Sequence, residues 1–215
     1  MILAVAVDLV LVLRVAIVRD ALLRMPSGPN YVTKAVAPLL VYGLVFSGLA
    51  ARRRLHRGAA LQLGSGFGIV GGLLLTVHMG LENFGDRIGE NSKVTLAFML
   101  GTFLIWGVAG FRATQATGQW TDGAVAACWS AMVSVLTAVT FGLALLATNI
   151  PPPAYVATWP EFKQSGWTDA RAFGAANCLD AVLSHLVVGP AAGVLLGSLG
   201  AGIARLSSRS ASTAT

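Results

Sequence analysis

Runs of apolar residues recur along this chain, and each is about 20 residues long, the length that a helix needs to cross a hydrocarbon core of ~30 Å. Only 11% of its 215 residues are charged, whereas a soluble domain carries about 25%. A soluble fold is therefore excluded, and the runs predict an all-α, polytopic transmembrane helix bundle. The predicted spans form a single domain over residues 1–204, and they are 2–23, 31–50, 59–81, 94–111, 123–148 and 172–204.

The first span differs from the others because it carries four charged residues, Asp8, Arg14, Arg19 and Asp20. On insertion scales, a charge at the centre of the bilayer costs about 2.5–3.5 kcal/mol. These charges do not share one helical face, so the segment is also a poor amphipathic helix for the membrane surface. The sequence leaves two architectures open: six spans, or five spans with an N-terminal interfacial helix.

Arginines are clustered in the short segment between the second and third spans, at Arg52, Arg53, Arg54 and Arg57. Short loops rich in basic residues remain in the cytoplasm, so we expect a multi-pass protein of the cell (inner) membrane. With six spans both termini are cytoplasmic, and residues 82–93 and 149–171 lie outside. The serine-rich tail, residues 205–215, is predicted to be a disordered cytoplasmic segment. Although the net charge is +6, the basic residues form no single aromatic-interleaved patch, so nucleic acid is not an expected partner.

The tripeptide Trp-Thr-Asp occurs twice, at residues 120–122 and 167–169, just before the fifth and sixth spans. Threonine and aspartate side chains can accept hydrogen bonds from the free N–H groups at the start of a helix. We therefore predict that Thr121-Asp122 and Thr168-Asp169 cap these two spans.

Two spans carry glycines and polar residues in the same order. A face of the third span holds Gly64, Gly68 and Gly71 and continues to His78 and Glu82. On the sixth span, a polar arc of about 140° precedes glycines spaced by four; these residues are Asn177, Asp180, Ser184 and His185, then Gly189, Gly193 and Gly197. Small residues let membrane helices approach closely. We therefore expect these two spans to pack together and to bring the six polar residues into one buried cluster in the outer half.

Three interpretations of this cluster remain open. Its members could bond to one another and only fix helix register. They could bind a substrate, proton or ion in a transporter-like protein or in a subunit of a membrane transport or assembly complex, because intramembrane ionisable residues often serve transport. Alternatively, His78 and His185 could ligate haem b or a divalent metal in a membrane redox protein.

We favour the transport or assembly function, with no cofactor and no enzymatic activity. The expected partners are the lipid bilayer and either further copies of this chain or other membrane subunits. The candidate ligand-binding or ion-binding residues are His78, Glu82, Asn177, Asp180, Ser184 and His185, and the candidate packing residues are the six glycines.

Overall fold

The computed structural model describes residues 1–18, 20–25, 27–51, 58–84, 92–148 and 151–212, and within these ranges all regular secondary structure is helical. The predicted all-α class is therefore confirmed. The helices are α1 Ile2–Val18, α2 Asp20–Arg24, α3 Gly28–Ala51, α4 Gly58–Phe84, α5 Ser92–Thr117, α6 Trp120–Ala147, α7 Pro153–Val156, α8 Pro160–Ser165 and α9 Ala170–Ser212.

Five helices in the described ranges are long and apolar enough to cross a membrane: α3, α4, α5, α6 and α9. They correspond to the second to sixth predicted spans. The described parts of the first span are α1, which has 17 residues, and the short α2, on either side of residue 19. At the other end, α9 continues to Ser212 instead of ending near residue 204. No glycine or proline interrupts residues 205–212, and Ser207 and Ser208 donate hydrogen bonds to the carbonyls of Ala204 and Arg205 within the same helix.

The chain divides into two compact units, and the single domain over residues 1–204 stays a prediction. The first unit comprises Met1–Ala51 with Val139–Leu186, and the second comprises Arg52–Ala138 with Val187–Thr215. Helices α6 and α9 each contribute one part to each unit. This division follows from their length, since α6 has 28 residues and α9 has 43.

In the first unit, α1 and α3 form an antiparallel hairpin. At one end of the hairpin, Gly28 is packed against the carbonyl of Leu22. At the other end, a methyl group placed on Gly43 would lie 3.5 Å from Cγ1 of Val5. The first contact is made by α2 and the second by α1, so α1 and α2 together run antiparallel to α3 along a stretch of α3 that is about 22 Å long, at 1.5 Å per residue.

Most exposed side chains of α1 are apolar, with Leu3, Val10 and Ile17 each more than 60% exposed, although Arg14 is exposed as well. Its acid, Asp8, is turned inward and is 0% exposed. An interfacial helix would present its polar residues to water and bury an apolar face in lipid. The burial of Asp8 differs from that arrangement.

In the second unit, the N-terminal part of α6 is the element against which both glycine seams pack. Methyl groups placed on Gly64 and Gly68 of α4 would meet the carbonyls of Ala126 and Ser130 on α6, and one on Gly193 of α9 would meet Ala131. The expectation that the two seams face each other is therefore wrong, because each faces α6. Small side chains in α6 make this possible, and α6 has the largest buried share among the five candidate spans, 61% over its most apolar stretch.

The N-terminal caps differ between the two Trp-Thr-Asp sequences. The cap before α9 is confirmed, since Oδ1 of Asp169 accepts hydrogen bonds from the backbone N–H groups of Arg171 and Ala172. The predicted cap of α6 is wrong, because that helix already begins at Trp120 and Asp122 lies within its first turn.

Candidate functional site

Four of the predicted site residues lie on one exposed face of α9 in the first unit. We call Asn177, Asp180, Ser184 and His185 the α9 polar face. All but Asp180 are classed as exposed, and the side chain of Asp180 is 44% exposed. The sequence predicted a buried cluster, and this expectation is not met. The face lies on the surface of a helix that is long and apolar enough to span a membrane.

Asp180 is paired with Lys34 of α3, a residue that the sequence analysis did not select. Lys34 Nζ lies 2.7 Å from Asp180 Oδ1, and the Lys34 side chain is 47% exposed. The same ammonium lies 5.3 Å from the ring centroid of Tyr31, a favourable cation–π position. Because Lys34 is a cationic partner of Asp180, the carboxylate on the α9 polar face belongs to an ion pair and is not an isolated negative charge.

The direction of α3 relative to this part of α9 is fixed by two contacts in the same unit. Lys34 bonds Asp180, and eight residues later the hydroxyl of Tyr42 donates to the Leu186 carbonyl at 3.0 Å. The residue numbers increase from the first contact to the second on both helices, so the two helices run parallel. This is the relation that three intervening crossings, α4, α5 and α6, would produce.

Aromatic side chains surround the end of the first unit near this ion pair. Trp167 makes edge contacts with Tyr31 and Phe173 at centroid distances of 6.4 and 5.9 Å, and Phe162 of α8 packs on Phe173 at 5.4 Å. Tryptophan and tyrosine concentrate at membrane–water interfaces. Lys34 follows Tyr31 by one helical turn, so the ion pair is located just inside this aromatic zone.

Two other side chains of the α9 polar face, Ser184 and His185, bond to their own helix. Nδ1 of His185 lies 2.7 Å from the carbonyl oxygen of Ala181, and the Ser184 hydroxyl donates to the carbonyl of Asp180 at 3.3 Å. The bond at Nδ1 fixes the imidazole and leaves Nε2 directed away from the backbone. This ring nitrogen and the amide of Asn177 are therefore polar groups on an exposed surface.

His78 and Glu82 belong to the second unit and have their own partners. Nε2 of His78 lies 3.2 Å from the Thr95 hydroxyl and 3.3 Å from Oε1 of Glu82. The imidazole also stacks on Phe98 of α5 at a centroid distance of 5.1 Å, and its side chain is only 13% exposed. These contacts join α4 to α5, which supports a role for His78 in packing.

The predicted haem or metal site has no support in the described contacts. Nε2 of His78, the usual ligating nitrogen, is already hydrogen-bonded. Within the described part of the chain, no group of three or more His, Cys, Asp or Glu side chains could hold a metal ion. Ligation by His78 and His185 stays a prediction, which a visible absorption spectrum of the purified protein tests.

Comparisons with protein-family models, with curated proteins and with solved structures give no match. The chain is therefore characterised by its own features: a multi-pass membrane protein whose helices are long and apolar enough to cross a bilayer, with a polar, partly ion-paired face on the last of them.

Proposed function

We propose that this protein is a subunit of a membrane transport or assembly complex, in which the α9 polar face contacts another membrane-embedded subunit. The observation that carries this proposal is the exposure of Asn177, Ser184 and His185 beside the Lys34–Asp180 pair, on helices that are otherwise apolar outside. Val187 and Val188, which follow directly on α9, are 55% and 63% exposed. The polar groups therefore interrupt a surface suited to lipid.

Lipid chains cannot satisfy an exposed amide or imidazole, because they offer no hydrogen-bond donors or acceptors. Polar side chains of membrane helices instead bond to other helices, and each such bond contributes roughly 0.6 to 2 kcal/mol. A polar helix surface of a second subunit, or of a second copy of this chain, would supply what Asn177 and His185 lack in lipid. This favours a subunit over a transporter that acts alone.

Replacing the polar groups tests the proposal. We expect the double variant Asn177→Leu/His185→Leu to dissociate from its complex, because loss of two interhelical bonds weakens association by about tenfold or more. Native electrophoresis of mildly solubilised membranes from the source organism measures the size of the assembly. The wild type should migrate above the size of a single chain, and the variant should migrate as the chain alone.

The matched control is Val187→Leu/Val188→Leu, which changes exposed side chains on the same helix without altering polarity. It should assemble as the wild type does. A wild-type protein that migrates as a single chain, or a leucine variant that remains fully assembled, would contradict the proposed function.

We further propose that α1 crosses the membrane, which gives six crossings with both termini in the cytoplasm of a cell (inner) membrane. The supporting observations are the antiparallel α1–α3 hairpin, the inward position of Asp8 and the mainly apolar exposed surface of α1, on which Arg14 is the charged residue. Gln119, between α5 and α6, would then face the cytoplasm. Gln164, in α8, would face the opposite side.

Single cysteines at these two exposed glutamines test the orientation. In a background with Cys128 and Cys178 replaced by alanine, a membrane-impermeant maleimide added to intact cells should label Gln164→Cys. It should label Gln119→Cys only after the membrane is permeabilised. The reverse pattern would invert the orientation, and labelling of both in intact cells would contradict the topology.

A further inference from the structure

Asp8 of α1 is a buried acid that does not belong to the α9 polar face. Its side chain is 0% exposed, and Val5 and Val12, about one turn away on either side, are also buried. The Thr140 side chain is the polar group near it. Even so, neither carboxyl oxygen of Asp8 has a hydrogen-bond partner among the described residues. Buried polar groups are nearly always hydrogen-bonded, so this acid calls for a physical explanation.

Among the described residues, no charged side chain of the first unit acts on Asp8 as a counter-charge. On α3, Lys34 is bound to Asp180, and the hydroxyl of Tyr42 donates to the Leu186 carbonyl. The part of α6 in this unit, Val139–Ala147, has no ionisable side chain. The other described charged or titratable side chains of the unit that are exposed are Arg14, Arg24, Tyr155, Glu161, Lys163, Arg171 and His185.

We propose that Asp8 is a proton-binding site. An ionised carboxylate in an apolar environment without a counter-charge is far less favourable than the neutral acid. The packed α1–α3 hairpin therefore holds Asp8 as a carboxylic acid. The proton leaves only when water reaches the carboxyl group, which requires α1 to separate from its neighbours.

This site is independent of the proposed subunit contact, because Asp8 faces inward and the α9 polar face is exposed. Its ligand is a proton, which a carboxyl group can bind without any further protein ligand. A monovalent cation such as Na⁺ would need several oxygen ligands around it. Among the described side chains, Thr140 is the one whose polar group acts on the acid.

Dicyclohexylcarbodiimide tests the proposal, because this apolar reagent enters membranes and reacts with protonated carboxyl groups. In the full-length protein in lipid nanodiscs at neutral pH, we expect mass spectrometry to find the adduct on Asp8. Asp180, which is ion-paired as a carboxylate, provides the internal control and should react at least about tenfold more slowly. Labelling of Asp8 should decrease as the pH is raised.

Two results would overturn the proposal. The first is the absence of an adduct on Asp8 at every pH at which the protein remains folded. The second is protection of Asp8 by Na⁺ or K⁺ at constant pH, which would replace the proton with a metal cation. Neither result bears on the subunit contact, which is measured by the size of the assembly.

The variant Asp8→Asn supplies a second measurement, because asparagine resembles the neutral acid in shape. An ionised carboxylate is disfavoured in the packed apolar site, whereas water solvates it in the unfolded chain. We expect the thermal midpoint of the wild type to fall relative to that of Asp8→Asn as the pH increases. Parallel pH profiles would contradict a bound proton.

Discussion

Alanine substitutions in the two glycine seams, Gly68→Ala in α4 and Gly193→Ala in α9, should each destabilise the protein by about 1–3 kcal/mol, the usual result of overpacking a tight contact. A methyl group on Gly68 would lie 2.6 Å from Cβ of Val133 and 2.9 Å from the Ser130 carbonyl oxygen. A methyl group on Gly193 would lie 2.7 Å from Cβ of Ala131. Since these contacts involve backbone and short side chains of α6, the helices must separate. A lower thermal midpoint of the detergent-solubilised protein measures the effect.

Each helix contains a glycine that serves as its own control. Methyl groups placed on Gly66 of α4 or Gly202 of α9 would meet no atom within 4 Å. In a helix, alanine is favoured over glycine by roughly 0.5–1 kcal/mol. Gly66→Ala and Gly202→Ala should therefore leave the midpoint unchanged or raise it. If Gly66→Ala and Gly68→Ala lowered the thermal midpoint equally, close contact with α6 would not be the reason why Gly68 stabilises the protein.

The position of the glycine seams could be predicted from the sequence, but the helix that covers them could not. Spacing by three and four places Gly64, Gly68 and Gly71 on one face because the period of the helix is known. It does not state which of the other spans meets that face. In α6, the small residues Ser130 and Ser134 are 0% exposed. A helix with small residues around most of its circumference can accept close neighbours on two sides. This feature of the sequence could have indicated that α6 covers both glycine seams.

The faces of the candidate site were also predictable, whereas its ion pair was not. The helical period alone places Asn177, Asp180 and Ser184 on one arc. The partner of Asp180 is Lys34, which is 146 residues away in sequence, and no local pattern relates the two. A general rule did apply, since a lone lysine within a span tends to pair with an acid. The sequence likewise shows Asp8 as an unfavourable charge within an apolar run. It could not show that the carboxyl oxygens of Asp8 lack a hydrogen-bond partner among the described residues, because that depends on tertiary packing.

Reversing one charge of the Lys34–Asp180 pair should strongly reduce the amount of folded protein. Lys34→Glu places two acids, and Asp180→Lys two bases, where the present N–O distance is 2.7 Å. Near the aromatic zone of a membrane the effective dielectric constant is lower than in water, so like charges repel more strongly there than at a soluble surface. We expect a roughly tenfold loss of monodisperse protein in either single variant, because insertion of an unpaired charge is costly. Fluorescence-detected size-exclusion chromatography after detergent extraction measures that loss.

The exchanged variant Lys34→Glu/Asp180→Lys combines the two single reversals and restores opposite charges, so it should recover most of the folded protein and isolate the pairing from the loss of either residue. Lys163→Glu is the matched control, because Lys163 is an exposed base in α8 outside the five candidate spans; it should behave as the wild type. If the exchanged variant loses as much folded protein as the two single reversals together, the attraction between Lys34 and Asp180 does not stabilise the first unit. Recovery would instead show that α3 and α9 are joined at this depth by charge, and that the α9 polar face owes its position to that contact.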